Sequence, residues 1–254
     1  MRKDGLRKNI SQFIKQKIVK LSGLYFYNVK KLPVGTHLQY FLKYRTNCTF
    51  KTVFDVGANI GQTAIYFHRY FPTSSIYCFE PFSTTFYELH ANTRNITKIK
   101  LFQIGLGDCN VNISVPVLPV SKSVANTLIA NESLETTSHE LITVETIDGF
   151  LATHPEIEAI DLLKIDTEGY DLKVLLGANK AIASKRIKMI YTEVGLSKKN
   201  HKHVNICEMV EHLERLDFIF LGLFSIDLRH SFWDSHFGNA LFIHKTFIDV
   251  LKVN

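Results

Sequence analysis

The stretch FDVGANIGQ, residues 54–62, constrains the fold more than any other segment of this 254-residue chain. It joins the apolar run TVFDV at 52–56 to a helical pattern at 62–70, so a buried strand ends in a glycine-bearing turn that opens a helix. In an open α/β sheet a ligand binds outside the carboxyl ends of the strands, where strand turns into helix. Gly57 and Gly61 are expected to let a ligand approach the backbone, and the helix starting near Gly61 to aim free N–H groups at it. Glu80 ends the next apolar run, 23 residues beyond Gly57, where a carboxylate can accept both hydroxyls of a ribose.

The rest of the chain repeats this unit. Strand-like runs at 76–79, 99–104, 161–165 and 188–192 alternate with helical patterns at 83–94, 172–183 and 206–216, the signature of βαβ units and a parallel sheet. Segments 111–115 and 141–144 read as β and flank a polar excursion, residues 118–140, that holds Ser121, Ser123, Asn126, Thr127 and Asn131. This excursion is the expected acceptor-recognition region, because it interrupts the repeating units on the ligand side. Two terminal runs, 218–223 and 240–244, have no helix between them and predict an antiparallel hairpin added to the sheet. Near the N-terminus, Leu6, Ile10, Phe13, Ile14, Ile18, Leu21 and Tyr25 recur at spacings of three and four with Lys and Arg between them. Such a basic amphipathic helix packs on its own domain or a partner, or else lies on an anionic membrane surface. The expected organisation is a helical extension, residues 1–48, followed by one domain, residues 49–254.

The net charge of +6 is confined to that extension: residues 1–20 hold seven Lys/Arg against Asp4 alone, and the remainder carries 23 basic and 23 acidic residues. A basic groove for nucleic acid is therefore not expected. Cys48, Cys78, Cys109 and Cys207 are scattered, with no CxxC pair to indicate a zinc or redox site. Asn47, Asn95, Asn112 and Asn131 begin N-x-S/T sequons, which matter only in a secreted chain. No signal-peptide apolar region opens the chain, and no window reaches the ~18 apolar residues of a membrane span. The expected location is the cytoplasm, with membrane contact limited to a peripheral one through residues 1–25.

The loop also discriminates between ligands. Its spacing is G-x-x-x-G with Asn59 in the middle, not the G-x-G-x-x-G of nicotinamide and flavin enzymes, so the glycine that admits a pyrophosphate is missing. Asp55 places a carboxylate just before the turn, where it would repel a phosphate and suit a cationic sulfonium with an α-ammonium group. This charge logic favours S-adenosylmethionine, with a nicotinamide-dependent oxidoreductase as the weaker alternative.

Three blocks carry a family resemblance: VFDVGANIGQTAIYF at 53–67, CFEP at 78–81 and LLKIDTEGYDLKVLLGA at 162–178. Together they resemble the FkbM family of S-adenosylmethionine-dependent methyltransferases across residues 52–193. The resemblance implies a Rossmann-like class I α/β fold, a mostly parallel seven-stranded sheet with an antiparallel last strand and helices on both faces. It implies methylation of hydroxyl groups on sugars, glycolipids or related metabolites. By the same resemblance Asp55, Gly57, Asn59, Gly61 and Glu80 bind cofactor, flanked by Ala58, Gln62 and Pro81, with Gly107 and Asp108 near the adenine edge.

KIDTEG ends a strand on the same edge as Glu80, which places Asp166 and Glu168 where methyl donor meets acceptor. An alcohol acceptor must lose its proton, and a carboxylate can take it. Asp166 is the first candidate, Glu168 the second, and Glu193 in MIYTEVG ends the following strand beside them. Asp166 and Glu168 could instead cap the helix after Gly169. Asp166 and Glu193 alone supply too few oxygens for a hard cation, so no metal is expected. His201 and His203 fall in the polar stretch SKKNHKH, predicted as a solvated loop, while His230 and His236 flank Trp233 in a loop that could border an acceptor pocket or only cover the sheet edge. A chain that keeps this cofactor fold but serves as a non-catalytic, membrane-docked binding protein is the other function class.

Overall fold

The structure, a computed structural model, describes residues 35–117, 138–227 and 236–251. The amphipathic helix at 6–25, residues 118–137 of the polar excursion and the loop bearing His230 and Trp233 lie outside the described residues.

In chain order the elements are α1 (Leu38–Arg45), β1 (Thr52–Val56), α2 (Gln62–Tyr70), β2 (Ser75–Phe79), α3 (Ser83–Thr93), β3 (Ile99–Phe102), β4 (Gly105–Leu106), β5 (Val111–Val117) and β6 (Ser138–Glu145). There follow α4 (Ile147–Thr153), β7 (Ile160–Ile165), α5 (Asp171–Leu176), α6 (Asn179–Ala183), β8 (Ile187–Gly195), α7 (Ile206–Glu214), β9 (Phe218–Asp227), β10 (Phe237–His244) and a 3-10 turn, Lys245–Val250. Seven strands form one sheet in the order β3-β2-β1-β7-β8-β10-β9. Its first five strands pair in parallel, whereas β10 runs antiparallel to both β8 and β9. The expected terminal hairpin is present, with its second strand inserted between β8 and the edge.

Strand parity divides the core. Phe54, Val56, Leu163, Ile165, Ile190 and Phe242 face one side, packed on Ile147 and Phe150 of α4, Val174 of α5, Ala181 of α6 and Met209 of α7. Val53, Leu162, Met189, Tyr191 and Leu241 face the other, covered by Leu38 and Leu42 of α1, Ala64 and Phe67 of α2 and Leu89 of α3. With both faces covered, the central strands read as continuous apolar runs.

Three local features depart from the sequence expectation. Helix α1, within the extension expected to reach residue 48, packs on the sheet: Leu42 is fully buried and the Phe41 ring meets Phe224 edge-on at 5.6 Å. The single helix predicted over 172–183 is two, α5 and α6, interrupted at Gly177, where an added Cβ would lie 1.9 Å from the carbonyl oxygen of Gly107. β5 and β6 pair antiparallel and, with β4, build a separate three-stranded sheet. No described helix is long and apolar enough to cross a membrane.

Candidate functional site

The first loop is held by the protein itself. Gly57 N–H and Ala58 N–H both donate to the Phe79 carbonyl at 3.0 Å, Asn59 N–H to Glu80 Oε2 at 3.0 Å, and Gly61 N–H to the Ala58 carbonyl at 2.9 Å. Ile60 N–H donates to Asn59 Oδ1 at 2.8 Å. The N–H groups of residues 57–61 are thus taken up within the protein, which disfavours a phosphate cradle there. The two glycines are also required by the protein's own packing. Gly57 has φ +71° and its missing Cβ would lie 1.9 Å from the Asp166 carbonyl oxygen, while at Gly61 (φ +92°) Leu89 and Thr93 of α3 fill that space. Close approach of protein to protein demands glycine at both positions.

Glu80 is buried, and its carboxylate accepts from Asn59 N–H through Oε2 and, at 3.1 Å, from Phe82 N–H through Oε1. Each oxygen keeps a second lone pair for a ligand hydroxyl. Burial pushes this carboxyl up to about 7, against the pull of those two N–H groups. Pro81 continues from it, Gln62 is exposed at the start of α2, and Gly107 is buried with Asp108 exposed beyond it. Gly107 packs against the Tyr170 ring and Val144, so this turn has a structural cause of its own.

Strand parity brings Asp55 (β1), Lys164 (β7), Tyr191 (β8) and Asn239 (β10) to the face beneath α1 and α2, with Asp166 just beyond β7. There they border a cavity of about 300 Å³ that Thr36, His37, Thr63 and Tyr66 also line. Lys164, which sequence reasoning passed over, is its central cation. Its ammonium, 6% exposed, lies 2.8 Å from Asp55 Oδ1 and 3.4 Å from Asp166 Oδ2 and donates to the Gly57 carbonyl at 2.9 Å. Burial opposes its charge, but Asp55 and Asp166 hold the amine above its ordinary range. Burial likewise pushes the Asp55 carboxyl up, with Lys164 pulling it back. The Asp55 carboxylate is thus spent on a protein cation, whereas Asp166, 40% exposed, faces the cavity. The only sequence signal for Lys164 was a lysine inside an otherwise apolar strand, LLKI.

A second polar group adjoins the first. Glu193, on the same face two residues beyond Tyr191, places Oε2 3.0 Å from His203 Nε2, and Glu168 Oε2 lies 3.8 Å from that nitrogen. Burial, then Asp166 and Glu168, push the Glu193 carboxyl up to about 8. His203 is buried, stacked on Phe237 at 5.0 Å, so the predicted solvated loop holds only for exposed His201. Asn200 folds the loop inward by accepting the N–H groups of Lys202 and His203 at 3.0 Å each. The N-cap of the helix after Gly169 is Tyr170 rather than Asp166 or Glu168; it makes no side-chain cap hydrogen bond, and Asp171 at the helix's first residue accepts from Thr167 and Thr192 hydroxyls at 3.0 Å and Gly169 N–H at 3.3 Å. Burial, then Asp166 and Glu193, push the Asp171 carboxyl up to about 6.

A seven-stranded, doubly covered sheet with one antiparallel strand beside its edge, and an acid-closed turn after β1, defines the class I methyltransferase fold. Residues 55–220 match the methyltransferase FkbM domain, and the chain belongs to that family. It is 28% identical over 143 residues to Methyltransferase 1 of Beauveria bassiana (strain ARSEF 2860), covering 49% of this chain and 57% of that protein. It is also 28% identical over 151 residues to the hexuronic acid methyltransferase AglP of Haloferax volcanii, 58% of each chain. The chain thus spans less than two thirds of the length of these relatives. Among solved structures, the methyltransferase FkbM from Methylobacillus flagellatus KT superposes with a TM-score of 0.50 at 18% identity, over 77% of this chain and 44% of that one.

Proposed function

We propose that the chain transfers the methyl group of S-adenosylmethionine to a hydroxyl of a saccharide, glycolipid or related metabolite. The observation that carries this reading is the charge of the cavity wall: two carboxylates, Asp55 and Asp166, stand against one ammonium, Lys164. A net negative wall suits a cationic ligand and disfavours a phosphorylated one. Family membership and a relative named for a hexuronic acid support the donor and the acceptor class.

When bound, the cofactor supplies an electrophilic methyl group on a sulfonium. In this assignment Asp55 lines the cavity, the 57–62 loop and Pro81, outside that lining, wall the cofactor beyond the ends of β1 and β2, Glu80 accepts the ribose hydroxyls, and Gly107 and Asp108 border the adenine. Asp55 acts on the site through Lys164 and the loop it steadies. Lys164, 3.4 Å away, positions Asp166 beside the cavity, where a carboxylate can accept the proton of an acceptor hydroxyl. The chain's remaining contribution is to position the reactants and exclude water beneath α1.

The test is direct. Methyl-labelled cofactor is offered with a panel of nucleotide sugars, glycolipids and glycan fragments, and the label is expected on a saccharide oxygen. S-adenosylhomocysteine is expected to raise the melting temperature and NAD to leave it unchanged. A shift with NAD alone would overturn the cofactor assignment, and label on a nitrogen or carbon acceptor would overturn the acceptor class.

A further inference from the structure

Glu168, Glu193 and His203 come from three separate segments, and their ligand-type atoms lie within 4.8 Å of one another. Glu168 follows β7, Glu193 lies near the end of β8, and His203 sits in the loop before α7. The Glu193 side chain is 8% exposed and that of His203 4%, so both polar groups are turned inward at a cost that a partner must offset.

Their contact is not a hydrogen bond. Glu193 Oε2 has no hydrogen-bond partner although it is buried and only 3.0 Å from His203 Nε2. Two atoms each about 2.1 Å from a common cation and at right angles are about 3.0 Å apart, which matches this approach. The other ring nitrogen, Nδ1, rests against the Asn200 side chain, 3.2 Å from Oδ1 and 3.0 Å from Nδ2. An Nδ1–H donated to Asn200 Oδ1 would leave the Nε2 lone pair available to a cation, the orienting arrangement that metal-bound imidazoles show. Glu168 has φ +55°, a costly conformation for a non-glycine residue, and it turns the side chain towards the same point. The Lys202 ammonium, 2.5 Å from Glu168 Oε2 and 52% exposed, is a mobile-length cation that a better one can displace.

We propose that Glu168, Glu193 and His203 form a site for a divalent first-row transition cation beside the cavity. One imidazole and two carboxylates suit Mn²⁺, Zn²⁺ or Co²⁺ better than Ca²⁺, whose ligands are oxygens. Three protein ligands leave coordination positions open, as at sites that bind a reactant. If the methyl-transfer reading holds, those positions would take vicinal oxygens of the saccharide acceptor and lower the pKa of the one to be methylated.

The full chain, treated with chelator and dialysed, is titrated with Mn²⁺ and Co²⁺ by calorimetry, and Co²⁺ is followed by its visible absorption. One cation per chain is expected. Glu193→Gln and His203→Asn are each expected to weaken it by roughly tenfold or more. Glu168→Gln, at a less buried position, provides the same readout should the other two variants fail to fold. Absence of stoichiometric binding, or wild-type affinity in folded Glu168→Gln and Glu193→Gln, overturns the site. S-adenosylhomocysteine binding measured in the same chain separates the two readings. Cofactor binding without cation binding overturns the metal site alone, while cation binding without methyl transfer supports the site and counts against the proposed function.

Discussion

Lys164 lies 2.8 Å from Asp55, each nearly inaccessible to solvent, so two neighbouring parallel strands are joined under the first loop by an ion pair inside the sheet's covered face. Removing one partner of such a pair strands the other without compensation. Lys164→Met is expected to destabilise the fold by about 3–5 kcal/mol at neutral pH. Loss of the ammonium raises the already elevated Asp55 carboxyl further, so the folded state then favours the protonated acid. The penalty should shrink as pH falls towards the unfolded-state value, about 4, and grow as pH rises above it. Urea unfolding across pH checks the sign, and Lys164→Met with Asp55→Asn should recover part of the loss. Equal destabilisation at all pH values would contradict it.

Glu80 supplies a pH dependence of binding. Its carboxyl stands near 7, and a ribose hydroxyl donates best to the ionised form. Below 7 binding must first expel a proton, whereas above it no proton is lost. Affinity for S-adenosylhomocysteine is expected to weaken as pH falls through 7, by up to about tenfold per unit, and to level off above. Calorimetry of the wild type and Glu80→Gln checks this, since the variant should bind more weakly and lose the slope. A flat wild-type profile would remove Glu80 from the ligand.

Asp166 separates binding from chemistry. Asp166→Asn keeps the size of a partly exposed side chain but cannot accept a proton. Turnover is expected to drop by roughly 10²–10⁴-fold with cofactor affinity nearly unchanged. Single-turnover transfer measured beside calorimetry decides it, and unchanged turnover would show that Asp166 is not the base.

The loop glycines should differ in tolerance. Gly57→Ala must push against a backbone carbonyl at 1.9 Å, while Gly61→Ala meets the flexible ends of Leu89 at 2.8 Å and Thr93 at 3.1 Å. Both carry positive φ, worth about 1–3 kcal/mol of strain for alanine. Gly57→Ala is expected to be the more damaging by thermal unfolding, and the reverse order would show that β7 yields more readily than α3.

Much of the sheet was legible because period and punctuation are local. TVFDV and the helix after it appear at the predicted residues, and IDLLKI and IKMIYTEVG read as buried strands because both faces are covered. The short helix α4 escaped because seven residues are too few to establish a helical period, and α5–α6 merged because nothing adjacent reveals that Gly177 packs on Gly107. At the candidate site, Asp55, Glu80 and Asp166 stand at or just beyond strand ends, where the strand pattern of the sequence put them. His203 was misplaced because KKNHKH is polar on average, and Asn200, which turns the loop inward, acts through hydrogen bonds that composition does not carry.

By itself the sequence determined the αβ alternation, the turn after β1, the strand-end acids and the family, since each depends on residues close together along the chain. Tertiary structure alone decided what those acids face. The Lys164 ammonium reaches Asp55 only because β1 and β7 are neighbours in the sheet, although Lys164 follows Val56 by 108 positions in the chain. Glu168, Glu193 and His203 converge by the same kind of crossover. Charge in a low-dielectric interior is felt over a few ångströms of space, whatever the separation in sequence, so the partners of a buried ion emerge only when the strands are ordered.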